Sequence, residues 1–154
     1  MLPYIIGLGV GALILRALFN EEDDNNENKK IFISFAIEDS KYRDFLVKQA
    51  RNEKSPFSFI DMSVKKPWNE NEWKTRCRAK IKKCDGMIVL LSKRTWHSSG
   101  SRWEIECAKE EGIPIIGMHI KKKNKGAIPP ELKGSKVIEW SWDNLGHSLR
   151  KIRR

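Results

Sequence analysis

The sequence lacks any arrangement of cysteine or histidine that would hold a metal ion or a disulfide framework. Its three cysteines, Cys77, Cys84 and Cys107, are an odd number without a C-x-x-C pair, and its three histidines are scattered. Structural zinc sites need four ligands at short spacings, and secreted disulfide scaffolds need paired cysteines. We therefore expect small buried thiols in a reducing compartment, with no metal. Cys77 and Cys84 are seven residues apart, so on a helix they share a face.

The signatures of common nucleotide-binding and hydrolase folds are missing as well. The 154 residues contain no G-x-x-x-x-G-K-[ST] loop, no G-x-G-x-x-G after a strand and no G-x-S-x-G turn. Phosphate-cradling loops and nucleophile elbows depend on those spacings. Nucleotide-binding and hydrolase functions of these types therefore have no support in the sequence.

The N-terminal segment has a character of its own. Residues 2–19 are apolar except for Arg16, and as a helix they would span about 27 Å, slightly less than a hydrocarbon layer of about 30 Å. A secretory signal would need basic residues before this run and a small-x-small cleavage site after it, and neither is present. We expect a transmembrane helix over 1–19 and an acidic, polar linker over 20–29. An amphipathic or packing segment and a cleaved signal are the alternatives.

The formal net charge of +10 is unevenly distributed. Residues 1–28 carry about −4 and the remainder about +14, and such a basic body attracts polyanions. The basic runs 121–125 and 150–154 have no interleaved aromatic residues and belong to no recognition motif, which argues against nucleic acid and favours anionic lipid. The positive-inside rule then predicts a single-pass protein of the inner membrane whose domain faces the cytoplasm.

From Lys30 onward, apolar strand patterns alternate with amphipathic helical patterns. Strands are predicted over 30–36, 56–60, 86–92, 113–120 and 136–140, and helices over 39–53, 71–84, 101–112 and 142–154. This alternation predicts an α/β fold over 30–154, a doubly wound parallel five-stranded sheet of the flavodoxin-like type. Ligands bind such sheets beyond the carboxyl ends of the strands, where the strand order reverses. Phe35, Asp61, Ser92 and His119 should share that rim with Glu104, which follows the third strand.

Two stretches resemble a known family. "KIFISFAIEDSKYRDFL" is similar to the opening box of TIR domains, and "CDGMIVLLSKRTW" with "SRWEIECAKEEGIPIIGMHI" is similar to the TIR-like proteins of the Thoeris bacterial anti-phage systems. The similarity runs from about Lys30 to Trp142. It implies a TIR-like enzyme that takes NAD as its substrate, needs no further cofactor, and cleaves the nicotinamide–ribose bond to give an ADP-ribose-type product or signal. It also implies self-association and a downstream effector, and a non-enzymatic adaptor domain at the membrane is the alternative.

The resemblance also assigns roles by position. Glu104 matches the catalytic glutamate of catalytic TIR domains, where a carboxylate would stabilise the positive charge that develops on the ribose. The expected substrate-binding residues lie at the end of the first strand, after the second strand and beside the glutamate: Ser34, Phe35, Ala36, Asp61, Ser63, Trp68 and Trp103. Trp103 is expected to pack behind Glu104 rather than take part in the chemistry.

Several of these positions also have simpler interpretations. Asp39 or Ser40 should cap the first helix, and Asp39 is expected to cap rather than touch the ligand. Glu106 should point about 200° away from Glu104 on a helix and be a solvated or structural acid. Glu104 itself could be an acid that stabilises a helix N-terminus. Many catalytic TIR domains have a tryptophan four positions before the glutamate, where this chain has Gly100.

Overall fold

The computed structural model describes residues 28–62 and 69–153, and within them lies a parallel five-stranded sheet with the order β2-β1-β3-β4-β5. The strands are β1 (Lys30–Ser34), β2 (Ser58–Ile60), β3 (Gly86–Leu91), β4 (Ile115–His119) and β5 (Lys136–Glu139). The helices are α1 (Ser40–Asn52), α2 (Glu70–Lys82), α3 (Ser99–Glu110) and α4 (Trp142–Arg150).

Helices cover both faces of the sheet. The core on one face includes Leu46 of α1 and Leu145 of α4, and the core on the other includes Ile81 of α2 and Ile105 of α3. Because both faces are covered, the central strand β3 can be apolar along its whole length, and all six of its residues are buried. The predicted doubly wound, flavodoxin-like α/β sheet is therefore confirmed.

The strand order reverses between β1 and β3. After β1 the chain moves outward to β2 at one edge, then returns past β1 to β3 and continues to β4 and β5. β1 and β3 are direct neighbours, with Ser34 opposite Val89, and the helices that follow them pack on opposite faces. A crevice opens at the carboxyl ends of two such strands. The predicted ligand rim thus lies beyond Ser34 and Leu91.

Helix α3 starts two residues earlier than predicted. The Ser98 hydroxyl caps it by accepting a hydrogen bond from the Ser101 N–H at 3.2 Å. The helix stops at Glu110, shortly before Gly112 with its left-handed φ of +69°. Glu104 therefore lies in the second turn and not at the helix start. Since the macrodipole acts mainly within the first turn, it does not explain an acid at this position.

Asp39 takes the predicted position at the start of α1, but its side chain does not cap the helix. The carboxylate is fully buried and accepts hydrogen bonds from the Ser92 hydroxyl and from Nη1 of Arg94, the latter at 3.0 Å. A buried carboxylate needs strong donors. The loop after β3 supplies a hydroxyl and a cation, and the Asp39 carboxylate bonds to these instead of to the backbone N–H groups of α1.

Some predictions fall on residues that the structure does not describe. The apolar run 2–19 and most of the linker 20–29 lie outside the described residues, as do Ser63 and Trp68. Across 28–62 and 69–153, none of the helices has the length and apolar character needed to cross a bilayer. The transmembrane helix and the membrane location stay predictions.

Candidate active site

A cavity of about 520 Å³ occupies the crevice between β1 and β3. This volume falls within the range of small-molecule sites, roughly 300–1,000 Å³. Its walls come mainly from the segments after β1 and β3, from the first turn of α3 and from α2. The lining residues are Phe35, Ile37, Glu38, Met62, Trp73, Lys93, Arg94, His97, Ser98, Ser99, Gly100 and Ser101, with Ile33 and Glu104 deeper. Phe35 of the predicted rim and the predicted acid, Glu104, therefore line one cavity, whereas Asp61, Ser92 and His119 do not line it.

Glu104 lies at the floor of this cavity with only 5% of its surface exposed. Its Oε1 accepts a hydrogen bond from the Ser34 hydroxyl at 2.8 Å, and its Oε2 accepts one from the Cys77 thiol at 3.4 Å. The Ser34 oxygen lies 2.8 Å from the Ser101 hydroxyl, which fixes Ser34 in turn. Both carboxyl oxygens are thus held, and the group has one orientation relative to the cavity.

The environment of Glu104 favours its neutral form. Burial raises the pKa of Glu104 to about 8, and the negative charge of Asp61 acts in the same direction. The hydrogen bonds from Ser34 and Cys77 oppose this rise without cancelling it. Burial and the neighbouring Glu104 also raise the pKa of the Cys77 thiol, which therefore stays protonated and available as a donor. A cation in the cavity would ionise Glu104.

Two cations lie at the rim of the cavity opposite this floor. Lys93 and Arg94 lie in the loop after β3, both are exposed, and Arg94 is oriented by its ion pair with Asp39 at 3.0 Å. The first turn of α3 lines the same cavity with Ser98 and Ser99. A helix N-terminus and guanidinium or ammonium groups both favour anions. The rim is suited to phosphate groups, and the floor is suited to a cation.

Phe35 lines the cavity, and a chain of contacts holds its ring. The Arg43 guanidinium lies 5.5 Å from the ring centroid, and its Nη1 donates to Oδ2 of Asp61 at 2.8 Å. Asp61 was predicted to contact the substrate, but it is not among the residues that line the cavity. Through Arg43 it supports Phe35, and through its charge it acts on Glu104.

Three other predicted residues also lie behind the cavity wall. Ser34 and Ala36 are fully buried and do not line the cavity, so Ser34 positions Glu104 instead of facing the ligand. Trp103 packs against Trp73, with ring centroids 5.3 Å apart, and only Trp73 reaches the cavity. Glu106 is exposed, as predicted.

Sequence reasoning missed the contact of Cys77 with Glu104 and the two cations at the rim, Lys93 and Arg94. Cys77 was interpreted only as a small buried thiol; its position one helical turn after Trp73, on the same face, was a usable signal. Lys93 and Arg94 come directly after a buried strand, and the rule that placed Ser92 on the rim applies equally to them. Among the described residues, no group of His, Cys, Asp and Glu is arranged to hold a metal ion.

Comparison with known families agrees with this geometry. Residues 32–125 match the family model described as the TIR-like domain of the Thoeris protein ThsB. The match spans more than half of the chain and contains every residue that lines the cavity. No curated protein matches the chain.

Proposed function

The chain belongs to the family of TIR-like domains of the Thoeris protein ThsB, and from this premise we propose that it is an enzyme that breaks the nicotinamide–ribose bond of NAD. Membership of the family supports a role in anti-phage defence. The observation that carries the enzymatic proposal is the carboxyl group of Glu104, buried and fixed by two donors at the floor of a cavity on the ligand-binding edge of the sheet.

Binding of NAD would convert Glu104 to its reactive form. The nicotinamide ring is a pyridinium cation while it is attached to ribose, and an opposite charge within about 4–6 Å lowers the pKa of a carboxyl group. Glu104, whose pKa burial raises to about 8, then releases its proton to solvent. Near neutral pH the bound cation favours the carboxylate form, so the charge of the substrate and the charge of the catalytic group are coupled.

Cleavage then needs little from the protein besides this carboxylate. The electron pair of the C–N bond leaves with nicotinamide, which becomes neutral and needs no general acid. The ribose carbon gains positive charge, and the Glu104 carboxylate stabilises it. Water or another nucleophile adds to that carbon and loses a proton, giving ADP-ribose or a cyclised or conjugated product. Ser34 and Cys77 keep the carboxylate in place throughout.

The rest of the cavity supports a place for the remainder of NAD. Its diphosphate would lie against Lys93, Arg94 and the N-terminus of α3, which line the same cavity together with the acid Glu38. The ring of Phe35, supported on one side by Arg43, offers a surface on which one of the bases can stack.

A non-enzymatic adaptor role is the second candidate, and one observation favours it. Ile37 is 67% exposed at the rim of the cavity, where an apolar side chain suits a protein contact as well as a ligand. An adaptor would bind copies of itself or partners without consuming NAD. A common fold does not decide between the two roles, because function depends on the site.

Incubation of the purified full chain with NAD decides between them. Nicotinamide release is followed by chromatography, the second product is identified by mass spectrometry, and the protein concentration is varied while light scattering reports self-association. Release of nicotinamide with an equal amount of an ADP-ribose-type product is the expected result. Assembly without any nicotinamide release, at every protein concentration, would support the adaptor role.

A further inference from the structure

The two basic runs of the sequence lie at opposite edges of the sheet. Run 121–125 follows the carboxyl end of β4, on the same edge as the candidate active site. Run 150–154 begins at the last residue of α4, which runs back toward the amino ends of the strands. Strands of five residues separate the two edges by roughly 17 Å. One flat surface cannot contact both runs.

The amino edge is also where the N-terminal segment joins the fold. Lys29, just before β1, donates hydrogen bonds from Nζ to the carbonyl oxygens of Leu149, Arg150 and Ile152 at 3.3, 3.1 and 3.0 Å. A Cβ added to Gly86, the first residue of β3, would lie 2.6 Å from Cδ1 of Ile152. The end of α4 therefore passes directly over the starts of the central strands, beside the point where the chain enters.

Further cations surround this point. The basic edge is defined here by six residues at strand starts and helix ends: Lys30, Lys54, Lys83, Arg150, Lys151 and Arg153. All are exposed except Arg150, which is half-buried. Of the acids at this edge, Glu53 is buried, and Asp85 accepts a hydrogen bond from the Lys30 N–H at 2.8 Å. Glu110 and Glu111, at the end of α3, form ion pairs with Arg78.

At the site edge, two cations are paired with acids. Lys125 forms an ion pair with Glu139 at 2.6 Å, and Arg94 forms one with Asp39. The Debye length is about 8 Å at physiological salt, which is shorter than the separation of the edges, so the two edges act independently on a charged partner. The helix macrodipole favours a cation at a helix end, but it does not explain Lys30 at the start of a strand.

We propose that the basic edge docks on an anionic phospholipid surface and holds the candidate active site facing away from it. Lipid is favoured because the edge presents its cations around the point where the N-terminal segment enters, and that segment carries the apolar run 2–19. Nine residues, 20–28, separate that run from Lys29 and reach at most about 32 Å when extended. Each basic residue near an anionic surface contributes about fivefold to binding. The proposal does not depend on the chemistry of the site.

Lysine footprinting of the full chain tests the orientation. The chain is reconstituted with vesicles of phosphatidylcholine alone or mixed with phosphatidylglycerol, treated with an amine acylating reagent, and analysed by mass spectrometry. We expect Lys30, Lys83 and Lys151 to be protected about fivefold or more by the anionic vesicles relative to the neutral ones, and to lose this protection at high salt. The lysines at 121–123, on the site edge, are the internal control and should react equally with both.

A matched pair of variants completes the test. The triple substitution Lys83→Glu, Arg150→Glu and Lys151→Glu should abolish the protection of Lys30 in anionic vesicles, whereas charge reversal at 121–123 should leave it unchanged. Protection of 121–123 instead of the basic edge, equal protection in both kinds of vesicle, or no protection in the wild-type chain would overturn the proposal. Protection of the basic edge by single-stranded RNA but not by vesicles would assign this edge to nucleic acid and overturn it as well.

Discussion

Replacing Glu104 with glutamine should stabilise the protein above neutral pH, although it removes the proposed catalytic charge. Glutamine keeps the shape of the side chain and can still accept a hydrogen bond from Ser34, but it cannot ionise. Burial raises the pKa of Glu104 from 4.5 to about 8. At about 1.4 kcal/mol for each pH unit, holding the ionised carboxylate in its buried position costs at most about 5 kcal/mol of folding free energy.

The sign of this effect fixes the pH window. Below about pH 4.5 Glu104 is protonated in both the folded and the unfolded chain, so the carboxyl group has no pH-dependent cost. Between about 4.5 and 8 the unfolded chain loses the proton first, and the stability of the wild-type protein falls as the pH rises. The glutamine variant lacks this decline.

Urea denaturation at several pH values from 5 to 9 measures the difference. The free energies of unfolding of wild type and Glu104→Gln should be similar near pH 5 and diverge by several kcal/mol near pH 9, with the variant more stable. Glu106→Gln, at an exposed position, is the control and should follow the wild type. A constant difference across the range, or a variant that is less stable at high pH, would show that Glu104 is already ionised in the folded protein.

Three further predictions concern turnover of NAD. The pH profile of kcat/KM should rise to a plateau above about pH 8, because the free enzyme must lose the Glu104 proton. The profile of kcat should depend on a lower pKa, because the bound substrate is cationic. A kcat/KM profile that is flat from pH 6 to 9 would contradict this. Serine is a stronger donor to the carboxylate, so Cys77→Ser should move the kcat/KM profile to lower pH by on the order of one pH unit, whereas Cys77→Ala should move it to higher pH. Equal profiles for both variants and the wild type would show that Cys77 does not act on Glu104. Lys93→Ala should raise KM about tenfold with a smaller change in kcat, while the control Lys109→Ala, at the far end of α3, should leave both constants unchanged. Identical KM values for Lys93→Ala and the wild type would show that Lys93 does not bind the substrate.

The parts of the fold that follow from local patterning were predictable. The run of residues in β3 is apolar without interruption, which is typical of a strand covered on both faces, and the alternation of strands and helices then leaves few parallel arrangements. The position of Glu104 on the ligand edge followed from the same rule. The start of α3 was harder to predict, because Ser98 and Ser101 are both good capping residues and the structure uses the earlier one.

The contacts that define the site were beyond local patterning, because they join residues far apart in the chain. Asp39 and Arg94 are 55 residues apart, and Cys77 and Glu104 are 27 apart. Asp39 satisfies every local rule for a helix cap, yet it is buried where a hydroxyl and a guanidinium from another loop reach it. Only the packing of α2 against α3 brings the Cys77 thiol to the Glu104 carboxyl group.

Nicotinamide release by Glu104→Gln, measured beside the wild type and Glu106→Gln, tests the catalytic role of Glu104 most directly. Thermal denaturation of each protein first establishes that it is folded. We expect Glu104→Gln to lose at least about 100-fold in the rate of nicotinamide release, because the charge that stabilises the developing cation is gone. Glu106→Gln, at an exposed position, should stay close to the wild-type rate. A folded Glu104→Gln variant that releases nicotinamide at the wild-type rate would contradict it.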